Sequence, residues 1–163
     1  MAGTPSLQAR RPAARGEHFE PHVPGVRYGA LDDLVGYAIR RAQISIYEDF
    51  LAALEPWDIT PQRFSALTLV VENEGMKLTE VARALGIARS GAVQIVDQLQ
   101  ALGYVERRDT ESDRRAYALR ATPAGQLALA EITQAVRAHD QRVSARLTAA
   151  QRRQLIELLG KLG

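Results

Sequence analysis

The sequence predicts a mainly α-helical chain with one small β-hairpin. Three observations predict it. Across residues 77–103, apolar spacing punctuated by Gly86 and Gly103 reads as a helix, a tight turn and a second helix. Residues 104–107 and 115–120 alternate as strands around the polar stretch 108–114. Segments 31–54 and 123–163 read as flanking helices, the first with more apolar surface than one neighbour in a small domain needs and the last with a strongly apolar end. Helix, turn, helix and hairpin in that order make a winged helix-turn-helix, a unit that reads DNA.

Composition narrows the functional classes. The chain has 163 residues, 46% of them hydrophobic and 25% charged, enough for one domain with dimerisation arms. It has no cysteine, which excludes disulfides, thiol catalysis, thiolate metal sites and cysteine-based peroxide sensing. No apolar run is long enough to span a bilayer, so no membrane partner is expected. The leading residues have no signal-peptide core, which points to the cytoplasm. The chain has three histidines and neither a nucleophile–base pairing nor a Gly-rich phosphate loop. No catalytic residue, metal or cofactor is therefore expected. A net charge of +2 does not by itself argue for nucleic acid. The positive charge is mostly arginine, the residue suited to bidentate phosphate and guanine contacts.

Residues 1–25 are rich in Pro, Gly, Ala and Arg and show no period, so they read as a flexible tail. Arg10, Arg11 and Arg15 have the chemistry of a minor-groove arm, although a solvated tail has the same composition. His18 and His22 are four apart, a spacing that aligns two rings on a helix, but Pro21 interrupts them and no third ligand is evident. Residues 26–163 read as one domain. Within it, 31–54 and 123–163 are dimerisation helices and 60–121 is the winged unit.

The first helix carries Leu31, Leu34, Val35, Ala38, Ala42, Ile46 and Phe50 at spacings of three and four. Thr60-Pro61 is an N-cap followed by a first-turn proline, and Gly75 is a left-handed stop. Thr79 is expected to cap a short helix over 80–85 and to contact DNA, and Gly86 to take a positive φ at the turn. The next helix is expected over 89–102, with Val93, Val96, Leu99 and Leu102 inside. Its outer side carries Arg89, Ser90, Gly91 and Gln94, then Asp97 and Gln98. Small and polar residues at that leading end suit a backbone lying deep in a major groove. There Ser bonds base edges or phosphate, Gln pairs with adenine and Arg with guanine. Arg108, Arg114 and Arg115 belong to the wing, with Arg114 or Arg115 at a tip suited to a narrow minor groove. Asp109 and Asp113 repel phosphate, so they are expected to shape the wing by holding an arginine or backbone N–H groups. Residues 77–120 hold eight Lys/Arg against six Asp/Glu, so binding must depend on where the arginines point. Thr122-Pro123 opens a long helix to about residue 147, on which His139 reads as packed or surface. Thr148 and Gln151 form a capping box for the last helix. Its Leu155, Ile156, Leu158, Leu159 and Leu162 read as a dimerisation face or as the cap of the chain's own core.

The stretch LTEVARALGIARSGAVQIVDQLQALGYVERRDTESDRRAYALRATPAG resembles the MarR family of bacterial transcription regulators. Its marks are Leu102-Gly103-Tyr104-Val105, Arg107-Arg108, Asp113-x-Arg115, Leu119, and Thr122-Pro123-Ala124-Gly125. Only residues 1–25 fall outside the family layout. The resemblance implies that Ser90, Gly91 and Gln94 enter the major groove and Arg115 the minor groove. It implies a homodimer whose first and last helices interlock on a palindromic operator of double-stranded DNA. It further implies repression relieved by a small aromatic anionic effector, a phenol or an aromatic acid or its thioester. For that effector Arg40 and Arg41 are candidates to meet a carboxylate, and Tyr37, Tyr47, Trp57 and Phe64 to meet a ring. The alternative is a constitutive or architectural DNA-binding protein without an effector.

Overall fold

The computed structural model describes residues 19–20, 22–110 and 113–162, without the side chains of 109–110 and 113–116. Arg10, Arg11, Arg15 and His18 lie outside the described residues, as do the side chains of Asp109, Asp113, Arg114 and Arg115. Among the described residues, six α-helices and one hairpin run in the order α1 (Val35–Leu54), α2 (Pro61–Glu72), α3 (Leu78–Ala84), α4 (Arg89–Ala101), β1 (Val105–Thr110), β2 (Asp113–Ala121), α5 (Pro123–Val143) and α6 (Ala149–Leu159). The chain separates into two compact units, Met1–Ser45 and Ile46–Gly163. No helix among the described residues is long and apolar enough to cross a membrane.

In the first unit, a short 3-10 helix (Gly29–Asp33) precedes α1, which starts at Val35 rather than at the expected residue 31. The break is Leu34, whose extended backbone lets its carbonyl take the first intrahelical bond, from Ala38 N–H. Asp32 and Asp33 then stand ahead of the positive end of α1. Val23 N–H donates to the Tyr28 hydroxyl at 3.1 Å, and His22 packs edge-on against the Tyr28 ring.

In the second unit, Leu54, Leu67, Leu99, Leu119 and Ile132 are fully buried with Val70, Val81, Val96 and Val105. Phe64 and Trp57 pack on this core from its margin. Local signals put the helices where the sequence places them. Thr60 Oγ1 accepts from Arg63 N–H, Thr122 Oγ1 accepts from Gly125 N–H, and Thr148 and Gln151 cap each other reciprocally. Gly75, Gly86 and Gly103 have φ of +83°, +64° and +75°. Asp58 also adopts the left-handed region, closing the short turn after α1.

Four local expectations need correction. The N-cap of α3 is Lys77, not Thr79, because Glu80 reaches back to accept from Lys77 N–H at 2.7 Å and so starts the helix earlier. The buried stripe of α4 is Ala92, Ile95, Val96 and Leu99. That stripe follows the 3.6 period, which a strict step of three from Val93 does not. The strands run further than expected, pairing Arg108 with Ala118 and Asp109 with Tyr117, with an irregularity before Thr110 pairs with Asp113. The long helix ends at Val143 rather than near 147, where Ser144 turns its hydroxyl onto the Asp140 carbonyl. A further pairing was not foreseen. Leu119 N–H donates to the Met76 carbonyl and Gly75 N–H to the Leu119 carbonyl, and Lys77 forms an isolated antiparallel bridge with Ala118, so residues 75–77 lie along the edge of the hairpin.

His139 is buried. Its ring stacks on Phe50 at 4.7 Å, and its Nδ1 lies 2.5 Å from Asp49 Oδ2, which also accepts from Arg142. The His139 hydrogen bond chiefly holds the Asp49 carboxyl below the usual carboxylate range; desolvation opposes it, and Arg142 reinforces it by hydrogen bond and charge. A carboxyl depressed by folding adds stability above its unfolded pKa, about 4, and loses it as pH falls through the folded value. Asp49→Asn should therefore flatten part of the fall in melting temperature as pH drops below about 4. Parallel acid limbs for the two proteins in thermal melts would refute this.

Candidate nucleic-acid interface

The candidate interface comprises α3, α4 and the hairpin. The buried stripe of α4 fixes its rotation, which leaves Arg89, Ser90 and Gln94 exposed on its leading turns. Gly91 lies among them, half-buried against Ile87. Its N-cap is Ala88, which has no side-chain oxygen to occupy the first-turn N–H groups. Those groups and the helix dipole favour an anion at this end.

A cleft of about 300 Å³ opens between α3, α4 and the hairpin, lined by Lys77, Leu78, Thr79, Arg89, Val93, Arg107, Tyr117 and Leu119. It brings together the predicted Thr79 and Arg89. It adds Lys77, Arg107 and Tyr117, which sequence reasoning did not select for the site. A usable signal existed for two of them. Strand alternation puts Arg107 on the same face as the buried Val105, and Tyr117 on the same face as the buried Leu119. Val93 belongs to this cleft as well, half-buried instead of inside the core.

Two polar residues of α4 read as part of the outer face are held by other elements. Arg107 Nη2 donates to Asp97 Oδ1 at 2.5 Å, joining β1 to α4. Arg63 Nε donates to Gln98 Oε1 at 2.7 Å, while its Nη1 donates to the Asp58 carbonyl at 2.9 Å. Gln98 is thus tied to α2. Surface ion pairs of the Asp97–Arg107 kind stabilise a fold by only about 0–1 kcal/mol. Arg108 lies on the other face of β1 and pairs with Glu106 at 2.8 Å.

The predicted effector residues fall in both units. In the first, the Arg41 guanidinium lies 5.5 Å from the centroids of both the Tyr37 and the Tyr28 rings, with the Asp32 carboxylate at 3.8 Å. Its Nε is buried without a hydrogen-bond partner. Tyr28 was not singled out by sequence. Arg40 is exposed. In the second unit, Tyr47 is exposed, Phe64 packs against the core, and Trp57 Nε1 donates to Glu131 Oε2 at 3.3 Å.

Comparison with known proteins agrees with this geometry. A model of the MarR family matches residues 57–116. The chain is 35% identical over 149 residues to a putative transcriptional regulatory protein for the hcr operon of Thauera aromatica, covering 91% of this chain and 90% of that protein. It is similar to the transcriptional repressor CouR bound to a 23-mer DNA duplex, with 36% identity and a TM-score of 0.80 over 84% of this chain and 97% of that one. CouR bound to p-coumaroyl-CoA matches at 33% identity and a TM-score of 0.76, over 84% and 96% of the two chains. A Mycobacterium tuberculosis MarR family protein in complex with salicylic acid matches at 30% identity and a TM-score of 0.65, over 80% and 96%. With relatives matched along nearly their whole length and a winged helix-turn-helix in place, the chain belongs to the MarR family of DNA-binding transcription regulators, which are not enzymes.

Proposed function

We propose that this protein is a homodimeric repressor that reads a palindromic operator and is released by a small aromatic acid or its thioester. The observation that carries the reading is the exposed leading end of α4, with Arg89, Ser90, Gly91 and Gln94 beside a cationic cleft and a wing. Ser90, Gly91 and Gln94 enter the major groove, and Arg89 and Thr79 meet phosphate or base edges. Arg115, with Arg114 beside it, enters the minor groove, and Arg108 follows the backbone. Asp109 and Asp113 shape the turn that presents them.

Dimerisation is supported by apolar surface that one chain leaves open. Val35, Ile39 and Leu51 on α1 are exposed, and α6 has no buried residue although it carries Leu155, Ile156, Leu158 and Leu159. A second copy covers these faces and sets two recognition helices about 34–36 Å apart, one DNA turn. The effector class is supported by the p-coumaroyl-CoA and salicylic acid held by the two relatives. Tyr37, Arg40, Arg41, Tyr47, Trp57 and Phe64 are its proposed contacts. An effector shifts the dimer only if it binds the DNA-incompetent form more tightly.

The test is a titration of the dimer bound to its own promoter fragment with aromatic acids and their coenzyme A thioesters, read by fluorescence anisotropy. Release by at least one is the expected result. Release by none favours a constitutive DNA-binding protein. In the same assay Arg115→Ala should weaken binding by roughly tenfold to hundredfold without changing the melting temperature. An unchanged affinity would remove Arg115 from the interface.

A further inference from the structure

We propose that the Asp97–Arg107 ion pair is a positioning clamp. It sets the wing against the recognition helix and so fixes the span between the major-groove and minor-groove contacts. The inference rests on the DNA reading above and concerns the same interface.

Asp97 has no part in the core. The buried stripe of α4 is complete without it, and its side chain is half exposed. Arg107 sits on the inward face of β1, opposite Leu119. The root of the hairpin is secured by Val105, Leu119 and Ala121 in the core and by the backbone bonds to residues 75 and 76. Further out, Arg108 bonds to Glu106 within its own strand. Among the described side chains, no other hydrogen bond or ion pair joins the hairpin to α4. From Arg107 to the end of β1 the strand runs on for roughly 10 Å, at about 3.3 Å per residue. A change of angle at Arg107 is therefore magnified where the strands meet the wing tip.

Electrostatics makes the role distinguishable. A carboxylate on the outer side of a DNA-reading helix repels phosphate, and by pairing with Arg107 it also takes a cation away from phosphate. An interface acting by charge alone binds better without Asp97. A clamp predicts the opposite sign.

The experiment compares wild type, Asp97→Asn, Arg107→Gln and the double variant on the promoter fragment, with thermal melts and hydroxyl-radical footprints on each. Asp97→Asn should weaken binding by roughly fivefold to tenfold although it removes a negative charge, and the double variant should be no worse than the weaker single, as for coupled neighbours. The footprint should lose the outlying minor-groove protection and keep the major-groove protection, a pattern that loss of stability alone does not give. Asp97→Asn binding as tightly as wild type or more tightly overturns the clamp. So do single losses that multiply in the double variant. Wild-type protein that binds no DNA would overturn the underlying DNA reading, and the clamp with it.

Discussion

Gly125→Ala should destabilise the protein by about 3 kcal/mol, at the upper end of what forced overpacking costs. Gly125 lies in the first turn of α5, where its backbone is held against the end of the α4–β1 connection. A Cβ built there overlaps the carbonyl oxygen of Tyr104 and crowds the carbon behind it. The obstacle is backbone, so no side chain can swing aside. The carbonyl is also engaged, accepting from Thr122 N–H at 3.0 Å. Thr122 in turn donates its hydroxyl to the Gly103 carbonyl at 2.6 Å and caps α5 through Gly125 N–H. An added methyl must part the entry of the wing from the start of α5 and break this group of bonds together. For a chain of this size the loss corresponds to a fall of roughly 10 °C in melting temperature. A thermal melt within about 2 °C of wild type would show that the junction relaxes freely.

Gly91→Ala should do the reverse, keeping the fold and losing DNA. A Cβ at Gly91 meets the Ile87 side chain at 3.7 Å, an ordinary contact, and the helical backbone takes alanine without strain. Alanine should raise helix stability by up to about 1 kcal/mol. In the proposed complex this position faces the floor of the major groove, where the added methyl stands the recognition helix off from the bases. Overpacking of about 1–3 kcal/mol against the DNA is a loss of roughly tenfold to a hundredfold in affinity. The pair of measurements is a melt and an anisotropy titration on the same preparation. A variant that is more stable and binds DNA as well as wild type would place α4 further from the groove than proposed. Gly91 and Gly125 look alike in sequence, yet one is expected to matter for the partner and the other for the chain itself.

The order of elements was legible in the sequence because its signals are local. Thr60-Pro61, Thr122-Pro123 and the Thr148–Gln151 box each complete a helix end within three or four residues, and Gly75, Gly86 and Gly103 take the positive φ their positions demand. Boundaries were less legible where two local solutions compete. Glu80 bonding back to Lys77 outbids Thr79 as a start for α3, and Leu34 interrupts what apolar spacing alone reads as continuous helix.

The candidate site shows the same division. The leading face of α4 was readable, since period and residue type together put Arg89, Ser90 and Gln94 outside. What Asp97, Gln98 and Arg107 do was not readable, because each depends on a partner from another element. Asp97 and Gln98 look like further groove-facing residues until β1 brings Arg107 to one and α2 brings Arg63 to the other. The same is true of His139, whose partner Asp49 lies ninety positions away. Sequence alone thus determined the kinds of element, their order and the exposed leading face of α4, since caps, glycines and apolar period act over one or two turns. Only the tertiary structure decided which charged and polar side chains are committed to partners within the protein, because such a pair is made by whichever side chains the core brings within reach.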